Sequence, residues 1–494
     1  MEKIKNKLSR LFEINPKKHS FLIKKLDTGA KCVEQKIQVG FIISEIPPEG
    51  ILLNKSGTYS FDRNIDWYPI KDTIGICISS KNVTLDLKSF SFRCINPNNF
   101  ETIGIKAFSS NNLEIKNGKI IGMGLSGVNA ELCNHVLFKS LIVKNINTNN
   151  IVKYTTPTGF KTSFSENIKI SKCVVCDISV RVGSFSGFEI AESINSKLSK
   201  CVVNKVKNLD GAAVGYSQFL SIISSMKCCK AMNMQTFFNG NTNTQGHTCI
   251  GFSPFFSVKL QIINCSVKNI IGTCDDAHGF SMFVCEGPIF IKDCSVDNVQ
   301  DGVGKNTGAK STGIEIYSSD VLVTDCTVAN IKAINPQDKQ CTGFSVSGNL
   351  IGGEATNVKF YNCKAKNVNV CDENGNYNSC LGYGIGFGSP PDPRFEFQVP
   401  CSNITWEKCY AENCQVGFDS WWQKNSLWTN LCTFKCGISI LNMNNSQRTV
   451  SCNTCSECNP PKVITLDNVA KNNVFNNIKA TYNKNNLLSI DLSS

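Results

Sequence analysis

Apolar and polar positions alternate along most of this chain in short bursts, each opened by a glycine and many closed by a cysteine. In GFEIAESINSKLSKCVV, from Gly187, Phe188 and Ile190 face one way and Glu189 between them faces the other. GFKTSFSENIKISKCVV from Gly159, GFSPFFSVKLQIINCSV from Gly251, GFSMFVCEGPIFIKDCSV from Gly279 and GIEIYSSDVLVTDCTV from Gly313 follow the same plan. In the last, Ile314 and Ile316 flank an outward Glu315. Period-two alternation marks a strand with one buried face. One burst cannot enclose a core, so units recurring every 20 to 41 residues or thereabouts predict stacked coils sharing continuous ladders.

The opening glycine is traced through Gly75, Gly104, Gly127, Gly159, Gly187, Gly215, Gly251, Gly279, Gly313, Gly343, Gly384, Gly417 and Gly437. Its expected role is to allow positive φ at a turn. The fold class predicted is all-β: a single-stranded right-handed parallel β-helix of about 13 coils, stacked at roughly 4.8 Å. Residues 51–480 form the solenoid, 1–50 a basic helical cap or arm, and 481–494 a tail. Long steps read as projecting loops at 233–248 and 372–381. In the cap, Ile4, Leu8, Leu11 and Phe12 recur at helical spacing, with Lys3, Lys7 and Arg10 off the stripe.

The 27 cysteines suggest a disulfide scaffold until they are placed on the repeat. Cys173, Cys201, Cys228, Cys265, Cys294, Cys326, Cys363, Cys409 and Cys432 are expected to share one interior column. Stacked residues on parallel strands point the same way, which is poor disulfide geometry. A column of free thiols implies folding in a reducing compartment, the cytoplasm, and the N-terminus has no signal-peptide pattern. Hydrophobic residues at 41% and charged residues at 18% fit a folded chain. Net charge is +12, yet no basic face interleaved with aromatics accompanies it, which excludes nucleic acid as a partner. No stretch approaches a membrane span.

The coil IGICISSKNVTLDLKSFSF at 74–92, preceded by SGTYSFDRNIDW at 56–67, resembles the pectin-lyase-like superfamily of right-handed parallel β-helices. That resemblance implies a fold and leaves function open among lyases, hydrolases, epimerases, tailspikes and non-catalytic surface proteins. The Lys/Asn/Ile-rich wording also resembles proteins of giant viruses or amoeba-associated bacteria.

Four groups of residues carry candidate chemistry. Asp275, Asp276 and His278 could supply an acid, a base or metal ligands, and equally a polar turn. Hydrolases of the resembled superfamily use a paired Asp and a Gly-His-Gly in neighbouring coils. Here pair and histidine share one segment. Arg181, Lys161 and Glu189 form a possible anion or uronate site, or a solvated face. Glu315, four coils from Glu189, is too far to act with it. Trp406, Trp421, Trp422 and Asp419, with Trp428 and Tyr410 nearby, read as a glycan platform or a cap on the hydrophobic end. Cys452, Cys455 and Cys458 could hold zinc or form a free-thiol loop; a fourth ligand is not obvious, though Cys436 could reach. No cofactor is implied; zinc or calcium has no complete ligand set. His19, His135 and His247 show no metal spacing, and GxSxG, HExxH and Walker A patterns are absent.

Three functions remain open. The first is a non-catalytic structural or attachment protein with a glycan-binding face, on a virion or microbial surface, for which a homotrimer like that of many β-helix fibres is a candidate assembly. The second is a carbohydrate-active enzyme, a lyase, hydrolase or epimerase on uronate-containing glycans. The third is an intracellular solenoid that binds other proteins.

Overall fold

A computed structural model describes residues 40–442 apart from 96–100, 149–155, 182, 210, 238–247, 274–275, 302–309, 335–338, 349–352, 372–381, 389–398, 400, 421–422 and 437. It also describes the strands Lys462–Thr465, Val474–Thr481 and Leu487–Leu492. The expected N-terminal helix and the Cys452, Cys455 and Cys458 cluster lie outside the described residues.

Each coil contributes three strands. The first strands, such as Phe185–Ala191, Ala213–Phe219 and Cys249–Phe255, stack into one fifteen-stranded sheet. The second and third strands, such as Ile194–Ser199 and Val202–Asn208, join a sheet of 28 strands. Every strand pairs with its counterpart one coil away and the pairing is parallel. Among the described strands the exception is Leu487–Leu492, which runs antiparallel to Val474–Thr481. This is the parallel β-helix that the repeat predicted, and crossovers between parallel strands are right-handed. Gly40–Ile43 lies parallel against Gly57–Phe61. No helix among the described residues is long and apolar enough to cross a membrane.

The interior is a set of columns. Phe160, Phe188, Tyr216, Phe252 and Phe280 stack with ring centroids 4.4 to 5.1 Å apart. Offset stacking suits in-register coils because the ring spacing matches the strand spacing. Asparagines form a second kind of column. The Nδ2 of Asn195 donates to Asn167 Oδ1 at 2.6 Å, and that of Asn269 donates to Asn233 Oδ1 at 2.8 Å. These residues hold positive φ, which Asn tolerates better than most side chains. Asn233, expected to open a projecting loop, therefore sits inside the strand Lys230–Thr236.

The glycines do a different job from the one expected. None of the described first-strand glycines from Gly75 to Gly343 has positive φ. A Cβ on Gly187 would lie 2.5 Å from Val203 Cγ2 and 2.6 Å from the Gly215 carbonyl oxygen. Glycine and the following large residue both face inward here, and only glycine lets the first strand close onto the third. Where the third strand offers Ala231 instead of valine, the side-chain approach at Gly215 relaxes to 3.0 Å. The register also replaces Gly384 by Gly386 as the repeat glycine, since Thr342 pairs with Ile385 and Phe344 with Phe387. Gly437 lies outside the described residues.

The cysteine column is present with two substitutions of register. Val202 pairs with Lys230, which puts Cys229, not Cys228, behind Cys201. Tyr410 pairs with Cys432, so Leu431 continues the column above Cys409. Cys173, Cys201, Cys229, Cys265, Cys294, Cys326, Cys363 and Cys409 are all buried and unbridged. Each thiol donates weakly to main-chain carbonyls, as Cys201 does to Ile170 at 3.6 Å. Burial pushes the Cys173 thiol up to about 12, so the column begins with a neutral small hydrophobe.

Candidate functional site

Side chains on the outer face of a solenoid sheet should meet water. Over the coils up to Cys249–Phe255 most of them do: Lys161, Glu189, Ser217 and Ser253 are partly exposed. From Ala277–Phe283 upward the same positions close over. His278 is 4% exposed, Glu315 2%, and Thr312, Thr342 and Ser345 are fully buried.

Two outward columns build the site. His278, Thr312 and Thr342 are register partners in one, and Ser281, Glu315 and Ser345 in the other. The inward Gly279 and Phe280 separate the members of each pair, so positions three apart share the outer face. His278 lies between two carboxylates. Its Nε2 is 3.5 Å from Asp276 Oδ2 and its Nδ1 is 3.5 Å from Glu315 Oε2. Lys310 Nζ makes an ion pair with Glu315 Oε1 and donates to the Tyr317 hydroxyl at 3.2 Å. Ser281 Oγ donates to Glu315 Oε2 at 3.2 Å, and the Lys310 backbone N–H donates to Asp276 Oδ1 at 3.0 Å.

Charges taken out of water need partners. Burial works against the His278 imidazolium, but Glu315 and Asp276 outweigh it and hold its pKa above the ordinary value. Burial works against the Glu315 carboxylate too, but Lys310 and His278 outweigh it and hold that pKa below the ordinary value. With His278 protonated, the four formal charges cancel. Around them, four buried polar atoms have no hydrogen-bond partner: His278 Nδ1, Thr312 Oγ1, Thr342 Oγ1 and Ser345 Oγ. Most buried polar atoms in folded proteins are satisfied. Other unpartnered atoms, such as Thr162 Oγ1, Ser196 Oγ and Ser224 Oγ, occur elsewhere among the described residues, but these four adjoin the ionic cluster.

The sequence-derived residues fall out unevenly. Asp276 and His278 are in the cluster, and Asp275 lies outside the described residues. Sequence reasoning missed Glu315, Lys310, Tyr317 and the threonines. Lys161 and Glu189 are register partners with Nζ to Oε1 at 2.8 Å, a half-exposed pair. Arg181 is exposed and joins no ion pair among the described residues. Trp406 is corrected: it is fully buried between Phe360 and Trp428, at 4.0 and 5.1 Å, and no ring face is left for a sugar. Asp419 sits in the outward column beside Gly388 but is 1% exposed. Trp421 and Trp422 lie outside the described residues. Among the described residues no group of three or more His, Cys, Asp or Glu side chains is placed to hold a metal ion.

A separate cavity of about 490 Å³ lies at the first coils, lined by Glu49, Asp72, Thr73, Cys77 and Glu101 among others. Its polar groups are engaged locally: the Glu101 N–H donates to Asp72 Oδ1 at 2.7 Å and the Thr73 hydroxyl to the Glu49 carbonyl at 3.1 Å.

Neither a protein-family profile nor a characterised protein sequence matches this chain. Among solved structures, it is similar to the catalytic domain of a GH87 α-1,3-glucanase in complex with nigerose. Identity there is 9% and the TM-score 0.43, over 76% of this chain and 60% of the other. It is also similar to a double mutant of the tailspike protein of E. coli bacteriophage HK620 in complex with pentasaccharide. Identity is 12% and the TM-score 0.45, over 86% of this chain and 74% of the other. The chain thus spans about 60% of the length of the glucanase domain it matches. Strand order and pairing give the described residues a parallel β-helix architecture.

Proposed function

We propose that this chain binds carbohydrate on the outer face of its first-strand sheet, over the coils that hold His278, Glu315 and Thr342. The observation that carries the reading is the row of buried, unpartnered hydroxyls beside a charge-neutral ionic cluster. A polyhydroxylated, uncharged ligand can donate to and accept from such a face without bringing a charge into it. The proposed role is attachment, on a virion or microbial surface, with the free-thiol columns fitting assembly under reducing conditions. The late tryptophans have no part in this proposal.

A hydrolytic reading is favoured by one specific feature. The imidazole between Asp276 and Glu315 keeps their facing oxygens no more than about 9 Å apart, which does not exceed the separation that inverting glycosidases use. In that reading the displacement of His278 or Lys310 by substrate frees the carboxylates for acid and base roles.

The test is a glycan array on the full chain, followed by an assay for new reducing ends on each bound glycan. Capture that is lost in His278→Ala, with no product formed, supports attachment. Capture with product supports the hydrolase. Capture that His278→Ala leaves intact removes this face from consideration.

A further inference from the structure

A different surface carries a second conclusion. The backbone turns a sharp corner after each first strand, with one residue in the left-handed region. In successive coils that residue is Ser109, Leu132, Phe164, Glu192, Leu220, Phe256 and Val284, at φ between 48° and 55°. Its N–H continues the ladder, as Phe164 donates to the Ala191 carbonyl at 3.1 Å and Phe256 to that of Phe283 at 3.0 Å.

The other corners of the same coils need the same φ. There the chain mostly uses Asn, Lys or Asp, as at Asn195, Lys200 and Lys205. Short polar side chains relieve the left-handed conformation, whereas large and β-branched ones are strained in it. Among the described residues only the first corner repeatedly combines this strain with apolar side chains, and it leaves them exposed or half-buried. Leu132 is 42% exposed and Phe164 45%. Folding alone gives no reason for either choice.

The corner residues have exposed apolar neighbours. Phe108, Ile194, Phe219 and Ile223 are 37% to 49% exposed. With these neighbours, Leu132, Phe164, Leu220, Phe256 and Val284 form an apolar stripe along one edge that recurs over seven coils, about 29 Å along the axis, with Ser109 and Glu192 as its polar corner positions. Its most exposed members present on the order of 500 Å² of apolar surface, given what one aromatic side chain can bury. A stable interface takes about 800 Å² per partner, so the stripe supplies most of one. Solitary exposed apolar residues need no explanation, whereas apolar surface of several hundred Å² on one edge often marks an interaction site.

We infer that this stripe is an interface between copies of this chain, packed side by side with their axes aligned. A sugar fits it poorly: Phe219, Phe255 and Phe283 stack on one another at 5.8 and 4.8 Å, which hides ring faces and presents edges. A second copy fits it well, because a rotation axis parallel to the solenoid sets like columns against like over their whole length. The inference is independent of any ligand on the first-strand sheet.

Mass photometry and sedimentation velocity on the full chain test it, beside the variant Leu132→Asn/Phe164→Asn/Phe256→Asn. Asparagine is at home in the left-handed region, so the variant keeps its circular dichroism and its melting temperature holds or rises. The expected result is a wild-type multimer at 10 µM or so and a variant whose dissociation constant is at least about tenfold weaker. A monomeric wild type at that concentration overturns the inference, as does a variant that assembles as wild type does. Should the triple variant lose its β signal, Phe164→Asn alone is measured against the same two outcomes.

Discussion

The ion pair between Lys310 and Glu315 is the sharpest place to perturb the site. Both side chains are within a few per cent of full burial, and Glu315 also faces His278 and Ser281. Lys310→Met keeps the aliphatic stem and removes the ammonium, stranding a buried carboxylate with only His278 to balance it. Breaking one side of such a pair costs about 3 to 5 kcal/mol, because the remaining charge stays desolvated. Replacing both partners with apolar residues of similar volume is near neutral, so Lys310→Met/Glu315→Leu should recover most of the loss. The assay is a double-mutant cycle by urea unfolding, read by circular dichroism, with slopes compared because coils of a solenoid can unfold piecemeal. A single variant within 1 kcal/mol or so of wild type, or a double variant no better than the single, would refute the burial described here.

Further outcomes follow from the same geometry. His278 is raised above its ordinary 6.5, so its contribution to stability is complete below that pH and is lost as pH rises through the folded value. Glu315 is lowered below its ordinary 4.5, so its contribution is complete above that pH and is lost as pH falls through the folded value. The advantage of wild type over His278→Gln in thermal melts should therefore peak between these two pH values and shrink above 6.5; an advantage that grows with pH contradicts the assignment. Gly187→Ala should cost about 1 to 3 kcal/mol or more by overpacking, whereas Gly40→Ala, with nothing within 4 Å, should be neutral. Maleimide labelling with peptide mapping should modify Cys228 in the folded protein and spare Cys229; the reverse pattern would shift the register by one.

The architecture was legible because the repeat is written in side-chain size. Phe188, Ile190 and Cys201 recur in phase, and stacking in phase is what they do. Errors arose where two neighbours carry the same signal. Cys228 and Cys229 differ only in which one faces inward, and GYGIGFG offers four glycines for one position. The purpose of the glycines was misread because the close contact is between first and third strands, Gly187 and Val203, which no local pattern reports. The site was half legible. Asp276 and His278 stand together in the sequence, but Lys310 and Glu315 arrive one coil later, across an insertion at 302–309. Glu315 was weighed against Glu189, which shares its column four coils away, and not against the histidine one coil away. Trp406 looked like a platform because aromatic residues signal both cores and sugar sites, and only burial separates the two.

The central claim, that a face of buried unpartnered hydroxyls awaits a polyhydroxylated ligand, has a direct test in Thr312→Val/Thr342→Val. Valine keeps the shape and removes two oxygens whose burial without partners costs roughly 1 to 3 kcal/mol each. The ligand-free variant is predicted to melt higher than wild type, while calorimetric affinity for the best array glycan falls at least about tenfold. A variant that melts lower, or that binds that glycan as wild type does, would contradict the claim.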